Sequence, residues 1–207
     1  MGGARRPLIG LVDYGMGNRR SVEKALEHVG AQVVVGSDEA ALAGAQKLVV
    51  PGVGAFPKAM ERLRELGLDT LLRERAAAET PLLGICLGMH LFFEHSSELG
   101  GSAGLGVVAG EVRALNADGL KLPQIGWNEV RWEREEPVLA GLAGATAFYH
   151  VHSFVAVPAD AGAVLGTAEY GERFASVVAS GPFLGVQFHP EKSSHDGLTL
   201  LRNWVAA

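Results

Sequence analysis

Leu82-Leu83-Gly84-Ile85-Cys86-Leu87-Gly88 is the stretch that decides how this chain folds. The apolar run before Cys86 suits a strand buried on both faces, as in a sheet covered by helices on both sides. A strand is expected over residues 82–86, followed by a helix through about His95. Glycines flank Cys86 at minus two and plus two, the G-x-nucleophile-x-G pattern of an elbow between strand and helix. A turn that tight crowds the backbone, and glycine relieves the crowding. The helix start then lowers the pKa of the thiol and offers free N–H groups to an oxyanion. The competing reading is a structural cysteine, since free Cys is among the most buried residue types.

Upstream of the elbow, strand and helix signals alternate. Leu8-Ile-Gly-Leu-Val12 is a short apolar run. Gly17-Asn18 opens a stretch with Val22, Ala25, Leu26 and Val29 at helical spacing, which Gly30 ends. Val33-Val34-Val35 is the next strand, and Ser37, with Asp38 and Glu39 behind it, reads as a helix N-cap. Leu48-Val49-Val50 is a strand broken by Pro51-Gly52. Residues 56–78 are helical in pattern, with an interruption near Gly67. This rhythm predicts a parallel sheet. From residue 104 to 188 the runs are shorter and β-rich: 107–108, 111–113, 130–132, 153–157, 163–168, 176–179 and 183–186. They predict antiparallel strands that extend or cap the sheet. A last helix is expected over about 196–205. The fold class is α/β: one domain over residues 1–207, with a mixed, mostly parallel sheet flanked by helices and an antiparallel β extension. Residues 1–7 are expected to be flexible.

Composition narrows the function. A 207-residue chain with 48% hydrophobic and 20% charged residues is not a disordered one. Its net charge of −5 offers no phosphate-neutralising excess of Lys and Arg, so no nucleic-acid partner is expected. One cysteine makes no internal disulfide. No apolar run is long enough for a membrane span, and the segment 8–12 is too short for a signal-peptide core. Arg6 stands where a myristoylation site wants Ser or Thr. A soluble, cytoplasmic protein is expected, with no cofactor and no metal.

A cysteine nucleophile wants a base held by a third group. Of seven histidines, His28 and His195 read as surface residues, and His90 and His95 fall in the helix expected after the elbow. His150 and His152 lie in Phe148-Tyr-His-Val-His-Ser-Phe154. His189 follows an apolar strand in Gly185-Val-Gln-Phe-His-Pro-Glu191, where active sites of parallel sheets collect. Glu191, two residues on, falls on the same side in extended chain. His189 is therefore the best base and Glu191 its orienter; from spacing alone, a solvated loop with an incidental histidine stays open. Pro51-Gly-Val-Gly-Ala-Phe56 also ends a strand, and its glycines allow a peptide to present an N–H. With the N–H after Cys86 it makes a candidate oxyanion hole, or else a plain turn.

Together these segments resemble the class I (triad) glutamine amidotransferases. Within that class the chain is most similar to the glutaminase subunits of imidazole glycerol phosphate synthase. The resemblance rests on Asp13-Tyr-Gly-Met-Gly-Asn18, Pro51-Gly-Val-Gly-Ala-Phe56, Gly84-Ile-Cys-Leu-Gly-Met89, Gly126-Trp-Asn128, Val151-His-Ser153 and Gly185-Val-Gln-Phe-His-Pro-Glu-Lys-Ser193. It implies Cys86 as nucleophile, His189 as base and Glu191 as its partner, with Val53, Gly54 and Leu87 at the oxyanion. Gly52, His90, His152, Ser153 and Phe154 would meet glutamine. Ammonia would pass to a separate (β/α)₈-barrel cyclase in a heterodimer, with Trp127, Asn128, Tyr149 and Lys192 near the interface. One position departs from the family: His90 stands where a Gln usually contacts the substrate, four residues after the cysteine. The alternatives are an amidotransferase serving another acceptor, a weakened regulatory partner, and a redox-responsive cysteine protein.

Overall fold

The computed structural model describes residues 6–207. The chain runs β1 (Leu8–Val12), α1 (Arg19–His28), β2 (Gln32–Gly36), α2 (Glu39–Leu42), β3 (Lys47–Val50), α3 (Phe56–Glu65), α4 (Leu68–Ala77), β4 (Leu82–Ile85), α5 (Leu87–Leu91), β5 (Phe93–Ser96) and β6 (Ser102–Ala103). It continues through β7 (Val108–Ala114), β8 (Gln124–Trp132), β9 (Ala145–His152), β10 (Phe154–Pro158), β11 (Val164–Tyr170), β12 (Glu172–Ser180), β13 (Phe183–Val186) and α6 (Ser194–Ala206). The expectation for residues 1–7 falls, for residues 1–5, outside the described range. The Pro7 carbonyl already accepts the Gln32 N–H at 2.9 Å.

All the strands join one sheet. Its parallel half runs β2-β1-β3-β4-β13, and the remaining strands extend it from β12, antiparallel in every pairing but β5 with β7. Alternation along the parallel strands explains the two layers of helix. Leu48 and Val50 of β3 join a core with Phe56, Met60 and Leu63 of α3 and Leu72 of α4. Val49 points the other way, into a second core with Leu26 of α1 and Leu200, Leu201 and Trp204 of α6. Lys47, a buried cation, donates to the Trp204 and Val205 carbonyls at 2.8 and 3.3 Å, which would otherwise end α6 unsatisfied.

Three local expectations are corrected. The helix after the elbow stops at Leu91 rather than His95, and Phe93–Ser96 is a strand. The cause is long-range. The carbonyls of Leu91, Phe92 and Phe93 accept N–H groups from Leu105, Val107 and Gly106, and β5 pairs with β6 and β7. His95 is thus an exposed strand residue. The α2 cap is Asp38 rather than Ser37: its carboxylate accepts the Ala41 N–H at 2.9 Å. The runs 107–108 and 111–113 are one strand, β7, and 130–132 is only the end of the nine-residue β8.

The elbow has the expected shape, and its glycines have a specific role. The residue in the left-handed region is Cys86 itself, with φ +55°. A cysteine held there costs on the order of 1–3 kcal/mol, which the surrounding packing must over-determine. Gly84 and Gly88 serve close approach instead. A methyl group on Gly88 would lie 1.8 Å from the Val50 carbonyl oxygen, and one on Gly84 would lie 2.7 Å from the Met89 Cα. Gly88→Ala is therefore expected to lose at least about 3 kcal/mol, the upper end for overpacking. Gly144→Ala, where nothing lies within 4 Å, should change stability by less than about 0.5 kcal/mol. Urea unfolding checks both. Equal midpoints for the two variants would show that the elbow does not depend on this contact.

Candidate active site

Strands β3, β4 and β13 are neighbours in the sheet, and each ends in a segment singled out by its sequence. Pro51-Gly-Val-Gly54 follows β3, Cys86 follows β4, and His189 lies three residues beyond β13. The Cys86 N–H donates to the Val186 carbonyl at 2.8 Å, so the nucleophile's strand and the base's strand are stitched together at their last residues. His189 Nδ1–H donates to Glu191 Oε1 at 3.0 Å, and both side chains are buried. Pro190 and Glu191 form a 3₁₀ turn behind His189, which brings the carboxylate back under its ring.

The extension supplies the opposite wall. Strand β9 runs past the His189 loop. The Tyr149 carbonyl accepts the His189 N–H at 2.9 Å, and the Tyr149 N–H donates to Ser193 Oγ at 3.0 Å. Phe148 stacks on Phe188 at 3.9 Å between ring centres. The Val151 carbonyl lies 3.7 Å from Cys86 Sγ. A cleft of about 200 Å³ results, lined by Val53, Gly54, Cys86, Leu87, His90, Glu98, Val151, His152, Ser153, Phe154, His189 and Lys192. It is smaller than drug-sized sites, which run from about 300 Å³ upward, and suits a small metabolite. A larger depression of about 770 Å³ near Trp132 and Pro137 lies away from the cysteine and is lined by no cysteine or histidine.

Most of the residues singled out from sequence meet here. Gly52 does not line the cleft. It is buried below it, where a side chain would strike the Tyr14 hydroxyl, and that hydroxyl donates to the Pro51 carbonyl at 2.7 Å. Tyr14 thus clamps the loop that carries Val53 and Gly54. Trp127 is exposed and meets Tyr149 edge-on across β8 and β9, with ring centres 6.2 Å apart. Asn128, the next residue along β8, lies opposite Phe148 and donates to the Glu169 carbonyl at 3.0 Å, so it is not grouped with Trp127 and Tyr149. Lys192 lies on the cleft side of that group. Glu98, which the sequence reading missed, is the one carboxylate lining the cleft. Its Oε2 accepts the Phe56 N–H at 2.8 Å. It follows β5, where the pattern had suggested helix, and nothing local marks it.

Three histidines line the cleft, and a fourth, His150, is buried beside His152; the four are in opposite electrostatic states. Burial holds His90 and His150 near pKa 4 and His152 near 3, despite hydrogen bonds that pull the other way. All three are neutral at ordinary pH. His150 Nδ1–H donates to the Phe148 carbonyl and Nε2 accepts the Ser176 hydroxyl. His152 Nδ1–H donates to the Phe154 carbonyl, so its buried Nε2 is a lone-pair acceptor with no partner among the described residues. For His189, burial also acts downward and is the largest single influence. Cys86 and Glu191 together outweigh it and raise the ring to about 9. His189 is therefore an imidazolium near neutrality, held between the Cys86 sulfur and the Glu191 carboxylate.

Comparison with known proteins gives a consistent picture. The family description "Glutamine amidotransferase class-I" matches residues 10–207. The chain is similar to the imidazole glycerol phosphate synthase subunit HisH of Bacillus cereus, 48% identical over 197 residues, covering 95% of this chain and 93% of that one. It is equally similar, 48% over 196 residues with the same coverage, to the subunit of that name from Moorella thermoacetica. In fold it resembles the structure of PurLQS from Thermotoga maritima, with a TM-score of 0.77 at 15% identity over 97% of this chain and 98% of that one. It also resembles a crystal structure described as glutamine amidotransferase, with a TM-score of 0.75 at 23% identity over 96% and 99% of the two chains.

The buried histidines set the pH dependence of stability. In the unfolded chain each binds its proton near pH 6.5; in the folded chain His90, His150 and His152 do so only near 4, 4 and 3. Between those values the unfolded state holds more protons, so stability falls on acidification by up to about 1.4 kcal/mol per pH unit for each histidine. His189 has the opposite sign: its contribution is complete below 6.5 and is lost as pH rises through about 9. The urea midpoint should therefore drop between pH 6.5 and 5, above the range where ordinary carboxylates titrate. A flat midpoint across that interval would contradict the neutral, buried state of these rings.

Proposed function

Since this chain belongs to the class-I glutamine amidotransferases, we propose that Cys86, His189 and Glu191 are the residues with which it hydrolyses glutamine. It supplies the ammonia so released to the cyclase subunit of imidazole glycerol phosphate synthase, in histidine biosynthesis. The observation that supports the residue assignment best is the meeting of nucleophile, base and carboxylate at the ends of two adjacent parallel strands.

The chemistry follows from the geometry. With its proton held on His189, the Cys86 sulfur attacks the carboxamide carbon of glutamine. Negative charge gathers on the former carbonyl oxygen. No side chain caps α5, so the Leu87 N–H is free to meet that charge, with the Val53–Gly54 peptide as second donor. His189 returns the proton to the leaving nitrogen, ammonia departs and a glutamyl thioester remains. Water attacks the thioester, His189 takes its proton, and glutamate leaves as the thiol re-forms. Glu191 holds the ring so that Nε2 faces the sulfur and offsets its positive charge. In this reading Glu98 receives the ammonium of glutamine, and the unpartnered His152 Nε2 accepts an N–H, with Ser153 and Phe154 lining the rest.

The whole chain acts as one amidotransferase domain beside a (β/α)₈-barrel cyclase, as a heterodimer. Support for the docking face comes from Ile125 and Trp127, exposed on one side of β8, with Tyr149 opposite Trp127 and Lys192 at the adjoining cleft. Large apolar side chains clustered in the open beside a reaction site are characteristic of an interaction surface. A cytoplasmic location belongs to the same reading; among the described residues no helix is long and apolar enough to cross a membrane.

Cys86→Ala in the complex should abolish glutamine-dependent synthesis and leave synthesis from added ammonia intact. His189→Ala should behave alike, with at least about a 10³-fold loss of glutaminase turnover. Steady-state assays with either nitrogen source decide it. Glutamine turnover by Cys86→Ala would remove the assignment, and loss of the ammonia reaction in His189→Ala would make that residue structural. Because the folded pKa of His189 is about 9, kcat/KM for glutamine should fall above that pH, as the proton for the leaving group is lost.

A further inference from the structure

The nucleophile has a neighbour that the triad chemistry does not use. Gln187 lies two residues before His189, and its side chain is fully buried. Its carboxamide oxygen sits 2.7 Å from His90 Nε2, and its carboxamide nitrogen donates toward Cys86 Sγ at 3.9 Å. Besides His189, the sulfur touches one acceptor, the Val151 carbonyl, and one further donor, the Gln187 amide. A thiol can use the carbonyl. A thiolate is repelled by it and gains from a second donor.

A carboxamide can turn end for end, and only one orientation presents N–H to the sulfur. His90 selects it. The ring is neutral and carries one proton, and with that proton on Nε2 it can bond the oxygen of Gln187 but not its NH₂ group. His90 lies one helical turn beyond Cys86, and Gln187 one strand repeat before His189, so each half of the pair is tied to one half of the nucleophile–base couple.

We propose that Gln187 donates a hydrogen bond to the ionised sulfur of Cys86, and that His90 is a positioning residue that orients Gln187 and does not bind glutamine. The proposal rests on Cys86 being the nucleophile. It assigns the chain's departure at position 90 to a contact with Gln187, in place of the substrate contact that the family resemblance implied.

The test reads the sulfur directly. Cys86 is the only cysteine, so the pH dependence of alkylation by iodoacetamide reports its ionisation in the intact chain without glutamine or partner. The other titratable groups around it are Tyr14 from the loop after β1, His189 with Glu191 behind it, and Glu98, His152 and Lys192 along the cleft, and all are left in place. In Gln187→Leu the midpoint should rise by about one pH unit, making alkylation about tenfold slower below it. His90→Phe should shift it in the same direction, and His90→Gln, which keeps an N–H donor, should restore it. In the cyclase complex His90→Phe should lower kcat for glutamine with little change in KM. If Gln187→Leu does not fold by circular dichroism, the two His90 variants carry the test. Unchanged alkylation profiles in the folded variants, or a raised KM with kcat intact in His90→Phe, would overturn the proposal. A shifted profile in a chain that fails to hydrolyse glutamine would instead leave this contact standing and remove the hydrolytic reading.

Discussion

At the turn that carries Cys86, α5 crosses the end of β3 so closely that one methyl group on Gly88 would overlap the Val50 carbonyl oxygen. The same approach sets the Leu87 side chain against Gly52, which in turn rests on the Tyr14 hydroxyl. The elbow, the loop after β3 and the segment after β1 are thus one packed unit. Moving any of them by the width of a methyl group would open the space between Cys86 and the Val53–Gly54 peptide. The cost is visible at Cys86, whose φ of +55° is held by its neighbours and not by its own preference.

Around this unit the protein places ionisable groups in environments that drive them apart. Burial alone would make all four histidines in and beside the cleft neutral, and three of them are. His189 escapes because it lies between a thiol and a carboxylate, which favour its proton more than burial opposes it. The neutral histidines then act as oriented dipoles with fixed tautomers. Each Nδ1–H or Nε2–H is committed to a named acceptor, which leaves His152 Nε2 as a buried lone pair without a partner among the described residues.

The division of labour in the sheet accounts for the rest. The parallel half converges three strand ends on one point, as open α/β sheets do. The antiparallel extension folds β9 over that point and ties it to the His189 loop through Tyr149 and Ser193. Because β9 pairs only with β8, the same two strands close the cleft and present Ile125 and Trp127 outward. Part of the cleft wall and the proposed docking face therefore belong to one hairpin.

Much of this was readable in the chain itself. Local patterns determined the alternation of strands and helices through residue 85, the turn at Cys86, and the pairing of His189 with Glu191 across one residue, because each depends on spacing of 2 or 3.6 along a short segment. The end of α5 at Leu91 was not readable, since strand formation at Phe93 is imposed by β6 and β7 from later in the chain. Nor was Glu98, which enters the cleft from a turn that this β pairing creates. The placement of Asn128 away from Trp127 follows from pleating in a strand whose full length the pattern did not reveal. The partner of His90 was the most hidden of all. Its helix predicts that it faces the cysteine, but only the sheet, by setting β13 beside β4, brings Gln187 within 2.7 Å and decides where its one proton goes.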